Sequence, residues 1–141
     1  MFLGEFEYKI DEKGRVPVPP SFRRELDKGL VLTQGAETCI MAYPFSEWKK
    51  LADSLTASST SPSKFRRLNR FLFATAFSSN LDGQGRVTLP VPLREYAGIE
   101  DVVVIAGANN YFELWNKDQW QSEKAISQEQ VWQIIESLEK R

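Results

Sequence analysis

The stretch Asp11-Glu12-Lys13-Gly14-Arg15-Val16-Pro17-Val18-Pro19 returns later in the chain as Asp82-Gly83-Gln84-Gly85-Arg86-Val87-Thr88-Leu89-Pro90. Asp, Gly, Arg, Val and Pro occupy the same five places in both copies. The same spacing pairs Arg23 with Arg94. After one inserted residue, Gly35-Ala36 matches Gly107-Ala108 and Trp48 matches Trp120. A register that resumes after an insertion marks duplication rather than a short chance match. The halves correspond over roughly residues 5–55 and 76–125, and a chain of 141 residues suits two small units sharing one core.

Each half follows one plan. Glu5-Phe6-Glu7-Tyr8-Lys9-Ile10 alternates strictly, as a half-buried strand does. Asp11 to Gly14 makes a turn, Arg15 to Val18 a short strand, and Pro19-Pro20 stops it before a short helix over Ser21–Leu26. Leu30–Thr33 and Thr38–Tyr43 read as strands around a turn containing Gly35, and Ser46 is the expected cap of a helix through Trp48, Leu51 and Leu55. The second half repeats this: Ala76-Phe77-Ser78 leads into the Asp82 turn, Arg86–Leu89 is a strand and Leu93–Ala97 a helical turn. Val102–Ile105 and Tyr111–Trp115 are strands, and Asn116 with Gln119 resembles a capping box. Two helices lie outside the repeat. Ser61-Pro62 opens one with Phe65, Leu68 and Leu72 as its apolar face, and Ser127-x-x-Gln130 opens another with Val131, Ile134, Ile135 and Leu138. Both stripes are expected to be packing surfaces, chiefly within the chain, and are also candidates for contacts between subunits. The Ser- and Thr-rich stretch from Ser54 to Ser63 is the expected linker.

Several function classes are excluded by residue type. The chain has no histidine, which removes Ser-His-Asp and Cys-His catalysis and most transition-metal sites. Cys39 is the single cysteine and sits in an apolar run, so it is expected to be a small buried hydrophobe. No apolar run has the roughly 18 residues of a membrane-spanning helix, and the N-terminus lacks the pattern of a signal peptide, so the cytoplasm is the expected location. With 42 % hydrophobic and 26 % charged residues the chain has an ordinary globular composition. Its net charge of -1 means that any nucleic-acid contact must rest on local charge. Such local charge exists: Lys9, Lys13, Arg15, Arg23 and Arg24 face only Asp11 and Glu12, and Lys64, Arg66, Arg67, Arg70, Arg86 and Arg94 face only Asp82. Two basic segments suit a polyanion site and suit solvated surface equally.

The Asp-x-x-Gly-Arg turn carries the chemistry. Glycine supplies the positive φ of a short hairpin loop, and the aspartate can accept from the turn's own amides. An Asp–Arg pair across it would fix the guanidinium plane. One reading is a staple that holds a hairpin and nothing more, because surface pairs of this kind are common. The other is recognition. If the halves pack about a pseudo-two-fold axis, Arg15 and Arg86 come to equivalent places, where a guanidinium can bond bidentately to guanine O6 and N7 in a major groove wide enough for a two-stranded tip. Lys9, Lys13, Arg23, Arg24 and Arg94 are then candidates for holding phosphates.

The paired Asp11-x-x-x-Arg15 and Asp82-x-x-x-Arg86 motifs, the Met1-Phe2-Leu3-Gly4 start and the duplicated layout resemble the MraZ family, whose relatives are the AbrB-like swapped-hairpin transcription factors. The resemblance spans essentially the whole chain. It implies an α+β, β-rich fold of two AbrB-like half-barrels forming one pseudo-dimeric barrel with flanking helices. The division it suggests is a first repeat at 1–55, linker and connecting helix at 56–75, a second repeat at 76–126 and a C-terminal helix at 127–141. It further implies a ring-shaped homo-oligomer, bound to repeated G-containing boxes in double-stranded promoter DNA of the division and cell-wall gene cluster, usually as a repressor, in the nucleoid. The resemblance assigns DNA contact to Asp11, Arg15, Asp82 and Arg86, with Lys13 and Gln84 inside turns that differ between the halves.

Two other classes compete. A protein-interaction module of antitoxin type predicts no salt-sensitive DNA affinity and a bound protein partner. An enzyme would have to use Asp11 and Asp82 as acid–base groups, but the adjacent arginines lower carboxylate pKa values and make them poor general acids. No catalytic constellation is present, so the expectation is a non-enzyme with no cofactor and no metal.

Overall fold

A computed structural model describes residues 1–57 and 60–139. The elements run β1 (Glu5–Lys9), β2 (Arg15–Pro17), α1 (Pro20–Arg23), β3 (Leu30–Gln34), β4 (Ile40–Pro44), α2 (Phe45–Thr56), α3 (Pro62–Leu72), β5 (Phe77–Ser79), β6 (Arg86–Thr88), α4 (Val91–Ala97), β7 (Val102–Gly107), β8 (Phe112–Asn116) and α5 (Lys117–Glu139). Short 3-10 turns follow α1 and β3. The fold is α+β, β-rich and duplicated.

The strands form a six-stranded sheet in the order β1-β7-β8-β4-β3-β5 and a two-stranded ribbon of β2 and β6, with antiparallel pairing throughout. The duplication is written into the pairing. β4 meets β8 with Met41 opposite Glu113, and β2 meets β6 with Val16 opposite Val87. In each ladder the central pair joins residues at equivalent places in the two repeats, so one pseudo-two-fold axis runs through both. The outer strands are exchanged: β1 of the first half pairs with β7 of the second, and β5 of the second with β3 of the first. Neither half can complete its sheet alone, which gives the pseudo-dimeric unit within one chain.

Side-chain alternation sorts this sheet into two buried faces. Leu30, Leu32, Ile40, Ala42, Val103, Ile105, Phe112 and Leu114 point to the central core, where they meet Val16 and Val87 from the ribbon and Phe22 and Leu93 from α1 and α4. Val31 and Tyr43 point the other way, onto Trp48 of α2 and Leu68 and Leu72 of α3. Cys39, Val104 and Trp115 meet Trp120 of α5. The ribbon therefore lies on one side of the sheet and the long helices on the other. Thr33, fully buried, donates from Oγ1 to the Leu72 carbonyl at 2.9 Å and ties the end of α3 to β3.

Four local expectations are revised. Ser46 does not cap α2, which starts at Phe45 with Pro44 in the cap position and has no side-chain cap. Asn116 does cap α5, accepting from the Gln119 amide at 3.1 Å, but the Gln119 side chain turns to Thr38 instead of closing the box. Ser127 opens no new helix. Residues 117–139 form one continuous helix, because no Gly or Pro interrupts them and Ser127 sits mid-helix facing Glu123. Consequently Val131, Trp132, Ile134 and Leu138 are exposed, with Trp132 at 70 %, rather than packed within the chain. The linker expected over Ser54–Ser63 is shorter, since α2 continues to Thr56 and Ser61 caps α3 by accepting from the Lys64 amide. Ser58 and Ser59 of that stretch, and Lys140 and Arg141 of the expected C-terminal helix, lie outside the described residues.

The centre of the core is a cluster of phenylalanine rings: Phe22 meets Phe2 at 5.0 Å, Phe112 at 5.3 Å and Phe6 at 5.4 Å between ring centroids. Phe22 is 1 % exposed. We predict that Phe22→Ala costs about 3–5 kcal/mol in chemical denaturation, the usual range for emptying a buried aromatic site. A loss under about 1 kcal/mol would mean that this cluster is not the centre of the fold.

Candidate nucleic-acid interface

The two Asp-x-x-x-Arg turns have the same hydrogen bonds. Asp11 Oδ1 accepts from the Lys13 amide at 3.0 Å and the Arg15 amide at 2.8 Å, and Oδ2 accepts from Arg15 Nε at 2.7 Å. Asp82 Oδ1 accepts from Gln84 and Arg86, both at 2.9 Å, and Oδ2 from Arg86 Nε at 2.8 Å. The main chain closes each loop: Asp11 donates to the Arg15 carbonyl and Gly14 to the Asp11 carbonyl, both at 3.0 Å, with the matching pair at Asp82, Arg86 and Gly85. Gly14 and Gly85 carry the positive φ this needs, +77° and +74°. The turns close as hairpin loops do, yet the strands they join separate at once. β1 goes to β7 and β2 to β6. The expected two-stranded hairpin tip is thus replaced by a ribbon made from both halves.

That ribbon sets where the arginines point. Val16 and Val87 face the core at 0 % and 1 % exposure. Arg15 and Pro17, paired with Thr88 and Arg86, must then face outward together. Arg15 and Arg86 stand diagonally on one outer face, about 7–8 Å apart by the ordinary spacing of such neighbours. Their side chains are 31 % and 26 % exposed.

Both oxygens of each carboxylate accept hydrogen bonds, and both aspartates are held below the usual carboxylate range. The first cause is the backbone amide of Arg15 or Arg86, aided by the arginine side chain and the second amide. A carboxylate so held is a poor proton donor or base; it orients the guanidinium. With Nε occupied, the terminal nitrogens of Arg15 and Arg86 make no hydrogen bond among the described residues and remain as a two-pronged donor.

The structure also brings Arg23 and Arg94 to these turns, crosswise. Arg23 Nε donates to the Val18 carbonyl and Arg94 Nε to the Leu89 carbonyl, both at 2.9 Å. The Arg94 guanidinium lies against Gly14 of the first turn, and that of Arg23 against Gly85 of the second. One cluster therefore contains Asp11, Lys13, Arg15 and Arg94, the other Asp82, Gln84, Arg86 and Arg23. Lys13 and Gln84 contribute main-chain amides to the turns and expose their side chains. Lys9 and Arg24 are exposed, at the end of β1 and just after α1, and no hydrogen bond or ion pair joins either to a turn among the described residues. Sequence reasoning placed Arg23 and Arg94 near the site but missed this exchange. The available signal was that the glycine and this arginine recur together in both repeats.

Comparison with known proteins agrees with the duplication. The family described as "MraZ protein, putative antitoxin-like" matches twice, over residues 1–71 and 72–137. Among curated relatives, "Transcriptional regulator MraZ" of Dehalococcoides mccartyi (strain ATCC BAA-2100 / JCM 16839 / KCTC 5957 / BAV1) is 62 % identical over 140 residues, 99 % of both chains. The protein of that name from Roseiflexus sp. (strain RS-1) is 43 % identical over 122 residues, 86 % of this chain and 85 % of its own. That from Pediococcus pentosaceus (strain ATCC 25745 / CCUG 21536 / LMG 10740 / 183-1w) is 37 % identical over 138 residues, 98 % and 96 %.

The lowered aspartate values set a pH window. A carboxylate depressed in the native state contributes stability that is complete above its unfolded value, near 3.9, and is lost as pH falls through the lower native value. The turns are therefore unaffected near neutrality and give way only in acid below the ordinary aspartate range. An NMR titration of the Asp11 and Asp82 carboxyls should give midpoints below that range, rising only part of the way in Arg15→Ala and Arg86→Ala respectively, because the backbone amides remain. Midpoints at or above the ordinary value would contradict the turn geometry.

Proposed function

The chain belongs to the MraZ family, and we propose that it is a transcriptional regulator that binds double-stranded DNA through the outer face of the β2–β6 ribbon. What carries this reading is the placement of Arg15 and Arg86 on one exposed face, each with its plane fixed by its own aspartate and its terminal nitrogens unengaged among the described residues. Relatives named as transcriptional regulators, matched over nearly the full chain, support the same reading.

In this proposal Arg15 and Arg86 read guanines in the major groove of repeated promoter boxes. Asp11 and Asp82 position them. Lys13 and Gln84 extend from the two turns and give them unequal chemistry, and Lys9 and Arg24 hold phosphates. The target is the promoter of the division and cell-wall gene cluster, and the sign of regulation is repression. The protein acts in the cytoplasm at the nucleoid. Among the described residues, no helix is long and apolar enough to cross a membrane.

One chain offers few contacts, so a ring-shaped homo-oligomer facing consecutive boxes would gain avidity of roughly 10²–10⁴. Boxes spaced about 10 bp apart would keep successive subunits on one face of the duplex. The exposed Trp132, Ile134 and Leu138 of α5 are the candidate subunit contact. We expect Ile134→Asp to give a smaller species than the unaltered chain in light scattering after size exclusion. An unchanged mass would remove α5 from the interface.

The second reading, a protein-interaction module, is favoured by the antitoxin-like wording of the family description. A gel-shift titration against the gene's own upstream DNA separates the two. Arg15→Ala or Arg86→Ala should weaken specific binding about 10- to 100-fold, the worth of a bidentate arginine–guanine contact. Circular dichroism should remain unchanged. Log affinity should also fall with log salt by about 0.9 per phosphate contact. Unaltered affinity in both variants would remove the ribbon as the reading surface.

A further inference from the structure

We propose that Arg23 and Arg94 are positioning residues that brace the reading turn of the opposite half, so that the two heads are coupled crosswise. This rests on the DNA reading above, although the brace itself is a property of the free protein.

Three observations carry it. First, the guanidinium planes are fixed from within: Nε of Arg23 is bound to the Val18 carbonyl and Nε of Arg94 to the Leu89 carbonyl. Those carbonyls stand just past the ends of β2 and β6. Second, the amides of the same two residues cross to the other half, Val18 donating to the Gly85 carbonyl at 2.9 Å and Leu89 to the Gly14 carbonyl at 2.8 Å. Each brace is thus a closed circuit through one strand-end residue, one arginine and one foreign glycine. Third, the fit leaves no space. A Cβ added to Gly14 would lie 2.9 Å from Arg94 Cζ and 3.0 Å from its Nη2, and one on Gly85 would lie 2.4 Å from Arg23 Nε and 2.5 Å from its Cζ. Positive φ requires the glycines, and their lack of a side chain lets each guanidinium approach without moving.

A phosphate-holding arginine needs only charge and reach, as exposed Arg24 has. Arg23 and Arg94 are half-buried, with Nε and the region over the glycine committed to the protein. Their action reaches DNA through Arg15 and Arg86. Specifically, Arg94 serves the Arg15 turn and Arg23 serves the Arg86 turn.

The test has a DNA-free arm and a DNA-bound arm. In 15N relaxation of the free protein, Arg94→Ala should lower the amide order parameters of Lys13, Gly14 and Arg15 and leave those of Gln84, Gly85 and Arg86 unchanged. Arg23→Ala should do the reverse. Arg94→Lys, which keeps the charge but not the planar fork, should behave like Arg94→Ala. In DNA titrations, Arg94→Ala should weaken binding several-fold with no change in salt slope. It should cost nothing further in an Arg15→Ala background, yet multiply with Arg86→Ala. Loosening of the turn in the variant's own half or wild-type relaxation in Arg94→Lys would overturn the brace, and a salt slope reduced by about 0.9 would make Arg94 a phosphate ligand instead. If Arg15→Ala and Arg86→Ala leave DNA affinity intact, the DNA reading fails instead, and the relaxation arm still decides the brace.

Discussion

The ladder between β2 and β6 is only three residues long on each strand, yet core and site both hang on it. A two-stranded ribbon this short has no independent stability in water. It persists here because its inner face, Val16 and Val87, is sealed in the shared core, with Val18 and Leu89 fully buried just beyond. The reciprocal bonds from Val18 to Gly85 and from Leu89 to Gly14 extend the pairing past the strand ends. Strand alternation then dictates the rest. Burying Val16 and Val87 forces Arg15 and Arg86 outward on the same side. Packing energy spent on the core thereby fixes the direction of the arginines, with no separate device needed to aim them.

Strand exchange removes the freedom that two separate modules would have. Because β1 completes the sheet of the second half and β5 that of the first, relative motion of the halves would break both outer ladders. The two guanidinium-bearing turns are consequently held at one spacing, and the cost of bringing them together was met by covalent duplication instead of association. The same covalent link lets the halves diverge. On the axis, Met41 of one repeat faces Glu113 of the other. Glu113 accepts from Trp115 Nε1 at 3.1 Å and lies 3.6 Å from Cys39 Sγ, and burial raises the pKa of the carboxyl and of the thiol alike. That keeps Cys39 protonated and unreactive, as its apolar flanks imply.

Much of this was readable from residue order. Asp11 and Asp82, with glycine three places on and arginine four, specify a closed turn by chemistry alone, and the structure realises each expected bond. Alternation in Glu5–Ile10 and the Ser61-Pro62 helix start were equally plain, because they are local signals. The strand partners were not legible. A period of two says which side chains share a face and says nothing about which strand lies alongside, so a turn that looks like a hairpin gave no warning that its strands part company. The Arg23–Gly85 and Arg94–Gly14 contacts were hidden for the same reason, being a product of pairing between halves.

The long C-terminal helix shows what duplication leaves unbalanced. α2 and α5 begin at equivalent places, and each covers the back of the sheet with a tryptophan, Trp48 or Trp120. After α2 the chain returns through α3, whose Leu68 and Leu72 close over Val31 and Tyr43. After Trp120 there is no such return among the described residues, and nothing in the sequence stops the helix, so α5 runs on for 23 residues. Its helical spacing still lines up Val131, Ile134, Ile135 and Leu138, but only Ile135 is half-buried and the other three are exposed. A stripe with the periodicity of a core face and mostly the exposure of a surface face is incompletely buried by its own chain. The half that carries α3 and the half that carries the extended α5 therefore present matching turns on the ribbon side and differ on the opposite side of the sheet.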